Sequence, residues 1–324
     1  MRKNWGIAFA AVCLCMAILI LDSRTALSGA GEGVQLSLTV LIPCIFPFLF
    51  LSICLTNLAP GTNLTILRPL CRIFHIRKGV EPLLLAAFFG GYPAGAQSVG
   101  QLYQKRSLSK ETSEQLLAFC NNAGPSFLFG MAGNIFSEKW TVWSLWLFHL
   151  LGALAASYAF PCNYTDVDNP KQHRKTSVTE NLKQTISVMS MICGWVILFR
   201  VGIAFLERWI LWLFPDTIQV CIIGLLELSN GICELNTIAD EKIRFMICSG
   251  MLSLGGLCVS LQTASVTEGL SKHCYYKGKI IQLTVSLCCG AALMYSPFFL
   301  FLMLPIILLC LPKNKAGNPV AIGV

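Results

Sequence analysis

Apolar residues in this chain run in long blocks instead of alternating with polar ones at the period of a strand. Largely uninterrupted windows occupy 5–21, 34–58, 140–160, 184–206 and 280–310, matching or exceeding the roughly 17 to 25 residues with which a helix crosses hydrocarbon. Between them lie apolar stretches broken by glycine, proline and small polar residues, at 82–103, 115–136, 215–235 and 243–266. The pattern predicts an all-α polytopic membrane protein with short polar connections.

The breaks carry the most information. A membrane helix satisfies its own backbone, so glycine and proline at that depth free N–H and C=O groups, which is tolerated only where protein or a wet cavity receives them. "GGYPAGAQ" (90–97) and "FCNNAGPSF" (119–127) lie in the first half of the chain, and "LLELSNGICE" (225–234) and "SLGGLCVSLQ" (253–262) in the second. Around the polar connection 161–183 the same order reads twice: a long helix, a short amphipathic stretch, an interrupted hairpin, an interrupted crossing and a final helix. Three crossings per unit place the second unit upside down relative to the first. The expected architecture is therefore two inverted repeats with re-entrant hairpins, whose tips are 90–95 and 229–231, and broken transmembrane helices, as secondary transporters use. The predicted divisions are an N-terminal helix and outer loop (1–33), a first repeat (34–160), a cytoplasmic linker (161–183), a second repeat (184–297) and a C-terminal helix end and tail (298–324).

Composition agrees with that class: 55% of the 324 residues are hydrophobic and 12% charged, with a mean hydropathy of +0.66. The net charge of +8 does not point to nucleic acid, because the basic residues fall in loops between membrane segments. With a cytoplasmic N-terminus, sixteen of the 24 lysines and arginines, Lys272, Lys277 and Lys279 among them, collect on the inner side. The stretch 64–80, with Arg68, Arg72, Arg77 and Lys78 among Leu, Ile and Phe, reads as a helix in the inner interface. The first apolar window exceeds a signal-peptide core and reads as an uncleaved helix. The sixteen cysteines lie mostly in apolar windows without metal-ligand spacing, so they read as packing residues and no cofactor is expected.

A broken helix presents the N–H groups of its second half, and that positive end favours anions. The candidate solute-binding residues are those at the breaks: Gly91, Tyr92, Pro93, Gly95, Gln97, Asn121, Asn122, Gly124, Pro125, Ser126, Ser229, Asn230, Gly231, Gly255, Gly256 and Gln262. Glu227 and Arg200 are intramembrane charges, costly unless paired, and are the coupling candidates. Arg200 has two readings, snorkelling to water or pairing with Glu227 or an anion. Glu234 is expected at the interface. Phosphate loops, zinc helices and nucleophile elbows are missing, so no enzyme is expected.

The stretch "GGYPAGAQSVGQLYQKRSLSKETSEQLLAFCNNAGP" (90–125), with "GLLELSNG" and "GGLCVSLQ", resembles the YlbJ-type sporulation integral membrane proteins of endospore-forming bacteria, which carry a nucleoside-recognition or gate type of domain. The resemblance runs from about 34 to 295 and makes the two repeats gate-like. Cys258, Ser260 and Gly90 depart from residues common in that family, which bears on the substrate more than the fold. The resemblance implies a multipass inner-membrane protein of the sporulating cell, on the mother-cell side of the forespore envelope. It further implies export of a small anionic solute such as dipicolinate for the spore cortex. Two alternatives stay open: a transporter of nucleosides or another solute, and a non-transporting scaffold for cortex assembly. The partners expected are the lipid bilayer and a small anion, with a homo-oligomer open.

Overall fold

The computed structural model describes residues 3–58, 65–77, 80–162, 164 and 176–304, and every regular element among them is helical. Most of the connection 161–183, the tail beyond 304 and Lys78 lie outside the described residues. In the first half, α1 (Lys3–Leu21), α2 (Ser23–Leu36) and α3 (Ile42–Leu58) precede the short α4 (Arg68–Ile73). There follow α5 (Pro82–Phe89), α6 (Ala94–Gln104), α7 (Lys110–Leu117), α8 (Pro125–Ala132) and α9 (Lys139–Ala159). The second half holds α10 (Val178–Trp209), α11 (Asp216–Leu226), α12 (Leu228–Glu234), α13 (Glu241–Leu254), α14 (Gly256–Val266) and α15 (His273–Met294). Four stretches are long and apolar enough to cross a membrane by length and composition: Ser23–Leu58, Lys139–Ala159, Val178–Trp209 and Glu241–Val266. This is an all-α polytopic membrane protein in a lipid bilayer.

Local chemistry sets several boundaries. Ser109 accepts the Thr112 N–H at 3.2 Å and starts α7, as its position before early glutamates predicts. Ser177 and Glu180 close a reciprocal capping box at the head of α10. The arms α5 and α6 have 8 and 11 residues. At about 1.5 Å per residue neither is long enough for a core of roughly 30 Å, and the two pack against each other as a hairpin. The pair α11 and α12, with 11 and 7 residues, does the same.

The order of long helix, hairpin, broken helix and final helix occurs twice, as α3–α9 and α10–α15. A shared contact deepens the correspondence. A Cβ at Gly124, which caps α8, would lie 2.9 Å from the Gly91 Cα and 3.0 Å from the Phe89 carbonyl. A Cβ at Gly256, which opens α14, would lie 2.9 Å from the Gly224 carbonyl and 3.1 Å from that of Leu225. The backbone of the hairpin, at its turn in the first unit and in the last turn of α11 in the second, therefore touches the backbone of the helix break, and only glycine allows it.

Three sequence expectations are corrected. The outer loop placed within 1–33 is helical, because "SGAGEG" is a packing stripe: Gly29 and Gly33 bring α2 onto the backbone of α10, with a Cβ at Gly33 only 2.9 Å from the Ile197 Cα. The second hairpin turns at Glu227, not at 229–231, because the Glu227 side chain caps α12 and the helix restarts at once. Lys279 is no loop residue: α15 starts at His273, and Lys279 is buried inside it, 3% exposed.

Candidate functional site

The two hairpin tips and the breaks meet around a small, partly open cavity of about 30 Å³. Gly90, Gly91 and Tyr92 reach it from the first hairpin, Ser126 and Phe127 from the start of α8, Glu227 to Ser229 from the second hairpin, and Gln262 from α14; Leu41 just before α3, Ile45 on α3, and Ile192 and Val196 on α10 close it. Six sequence candidates (Gly91, Tyr92, Ser126, Ser229, Gln262 and Glu227) thus share one wall system although the chain separates them by up to 171 positions, from Gly91 to Gln262. The first N–H groups of α8, which have no acceptor within their own helix, belong to residues lining this space.

Glu227 is 2% exposed, and its Oε2 accepts the Asn230 N–H at 2.8 Å and the Asn230 Nδ2 at 2.7 Å. This corrects the expectation that every break offers a free helix start. At α12 the anion position is already held by the protein's own carboxylate, which the helix end stabilises. Glu227 does not meet Arg200. On the opposite side of α12, Asn230, Cys233 and Glu234 line a separate groove with Glu32 and Arg200.

Behind the first hairpin lies a polar core that the sequence reading missed. The Lys279 Nζ donates to the Tyr92 hydroxyl oxygen at 2.9 Å, the Asn121 carbonyl at 2.6 Å and the Gln282 Oε1 at 2.9 Å. Its ammonium stands 4.7 Å from the centre of the Tyr92 ring. Tyr92 donates in turn to the Leu252 carbonyl at 2.8 Å, close to the second break. Gln282 donates to the Asn122 Oδ1 at 2.9 Å and to the His149 carbonyl at 3.1 Å. His149, fully buried on α9, accepts the Ala123 N–H at 3.0 Å, so its other ring nitrogen carries the proton in the neutral form. Its signals in the sequence are the polar side chains Lys279 and Gln282 of α15 and His149 of α9 beside long apolar runs.

Asn121 and Asn122 face this core and do not line the cavity. Asn121 Nδ2 donates to the Thr263 hydroxyl at 2.8 Å, and Asn122 Nδ2 to the Phe119 and Ala87 carbonyls at 2.7 and 3.3 Å. Asn122 thereby satisfies backbone carbonyls where α7 ends, and Asn121 ties the first break to α14. Pro93 immediately precedes α6, Pro125 is the first residue of α8, and Gln97 is buried within α6. Gly95 presses on the Cys120 carbonyl, Gly231 on Gly224, and Gly255 and Gly256 both hold φ of +76° at the second break.

The two readings of Arg200 resolve into a third arrangement. It pairs with Glu32 on α2, and its Nη1 lies 2.9 Å from Glu207 one helical stretch further on α10. These bonds join α2 to α10 beside the Gly29 and Gly33 contact. The acid that Arg200 pairs with lies in the segment that the sequence reading treated as a loop.

Comparison with known proteins agrees with the class. No protein-family model matches the chain, and no solved structure does. The chain is similar to the sporulation integral membrane protein YlbJ of Bacillus subtilis (strain 168), with 24% identity over 180 residues, or 53% of this chain. The matched region covers 43% of that relative, so the chain spans less than half of it.

Proposed function

We propose that the protein carries a small anionic solute across the membrane of a sporulating cell, through two gate-like units related by inversion. The carrying observation is the cavity into which Gly91, Tyr92, Ser126, Glu227, Ser229 and Gln262 converge from both hairpins and both broken helices. Irregular backbone at membrane depth is retained where it lines such a space. The start of α8 supplies N–H groups there that suit a carboxylate. Sporulation comes from the similarity to YlbJ, and dipicolinate (pyridine-2,6-dicarboxylate), exported for the spore cortex, is the cargo this reading favours. No chemistry on the solute is assigned, and the site needs no cofactor.

A second reading is nucleoside transport. The cavity offers a tyrosine ring, two serines, a glutamine and a carboxylate, with no basic side chain in its lining among the described residues, a set that also suits a neutral, hydrogen-bonding ring. Proteoliposomes loaded in turn with dipicolinate and with nucleosides separate the two. Efflux of dipicolinate that saturates, with nucleosides inert, supports the anion reading; the reverse supports the second. Protein that inserts yet moves neither solute favours a scaffold role.

A further inference from the structure

We propose that Lys279 is the cation that recognises the transported anion, and that Tyr92 is the shutter between its ammonium and the cavity. This rests on the anion reading above and names the residue that would confer it.

The geometry around Nζ suits an ammonium. Tyr92 spends its own hydrogen on the Leu252 carbonyl, Gln282 spends its amide hydrogens on Asn122 and His149, and Asn121 offers a carbonyl. All three neighbours therefore present acceptors, and three donors are what an ammonium has. Among the described residues no carboxylate forms an ion pair with it. A buried ion costs several kcal/mol, and removing or withholding the opposite charge leaves that cost uncompensated. Of the three partners, Tyr92 alone also lines the cavity. An anion held at the start of α8 is thus one side chain away from a charge of opposite sign. Rotation of Tyr92 off Leu252 would replace a neutral acceptor on Lys279 by a charged one, the stronger kind of hydrogen bond.

The same bonds link recognition to movement. Lys279 on α15 holds the first break through Asn121 and the first hairpin through Tyr92, and Tyr92 holds the end of α13. An anion that takes Lys279 from Tyr92 loosens the hairpin from the second unit. Gln282 and His149 remain as the fixed side of the core.

The test is ligand-dependent thermal stabilisation of the purified protein in detergent, titrated with pyridine-2,6-dicarboxylate and with its neutral diamide at constant ionic strength. The wild type is expected to bind the dianion and not the diamide. Lys279→Met should weaken the dianion at least about tenfold, with Lys279→Arg recovering part of the loss. Tyr92→Phe, which removes the competing hydroxyl and keeps the ring, should bind the dianion more tightly. Equal affinity in wild type and Lys279→Met overturns the role of Lys279 and leaves the anion reading standing. A wild type that binds no carboxylate overturns both. If Lys279→Met does not insert, Tyr92→Phe decides, and unchanged or weaker affinity overturns the proposal.

Discussion

The Lys279 Nζ lies 2.9 Å from the Tyr92 hydroxyl oxygen across 187 positions of chain, and this bond joins the last long helix of one unit to the hairpin tip of the other. The cavity wall and the buried core thereby share one residue.

Asn122→Leu is expected to destabilise the protein. It strips the Phe119 and Ala87 carbonyls of their donor and Gln282 of one acceptor, and each buried group left unpaired costs about 1–3 kcal/mol. A melting temperature equal to wild type in the same detergent would show that Asn122 does not hold the break.

Gly95→Ala should prevent folding of the first hairpin. Its Cβ would sit 1.6 Å from the Cys120 carbonyl oxygen, a backbone atom that no rotamer change can move, so the cost is at least about 3 kcal/mol. Gly31→Ala has nothing within 4 Å and should be neutral or stabilising by up to about 1 kcal/mol. The yield of monodisperse, membrane-extracted protein distinguishes them, and similar yields would contradict the packing described here.

For the α2–α10 contact, close packing should outweigh charge. Gly33→Leu forces the helices apart at a backbone contact of 2.9 Å, whereas Arg200→Gln removes pairs whose acids are 47% and 31% exposed. Arg200 itself is 12% exposed, but the acids freed by the substitution can turn to solvent. Thermal melts of the two variants should therefore rank Gly33→Leu as the worse.

Glu227→Gln should fold, since an amide oxygen still accepts from both Asn230 groups. If the carboxylate takes up a proton during the cycle, solute flux by the variant loses the pH dependence that wild type has across about pH 5 to 8. Superimposable profiles for the two proteins would leave Glu227 as a cap of α12 alone.

The class of the protein and the location of its breaks were legible in the sequence, because both follow from local physics. A bilayer demands long apolar helices whose backbones close on themselves, and glycine, proline and asparagine within 90–97, 119–127, 225–234 and 253–262 show where that demand is relaxed. The repeated order of elements follows from the same count. What the tertiary structure decided is which freed groups meet. Lys279, Gln282 and His149 lie outside every break, and only the packing of α15 and α9 against the first one makes them a polar core. Glu32 became the partner of Arg200 because Gly29 and Gly33 let α2 lie on α10. A buried charge near a helix end has the same local pattern as a charge orienting a loop. The difference is the set of neighbours that desolvate and hydrogen-bond it, and those come from distant parts of the chain.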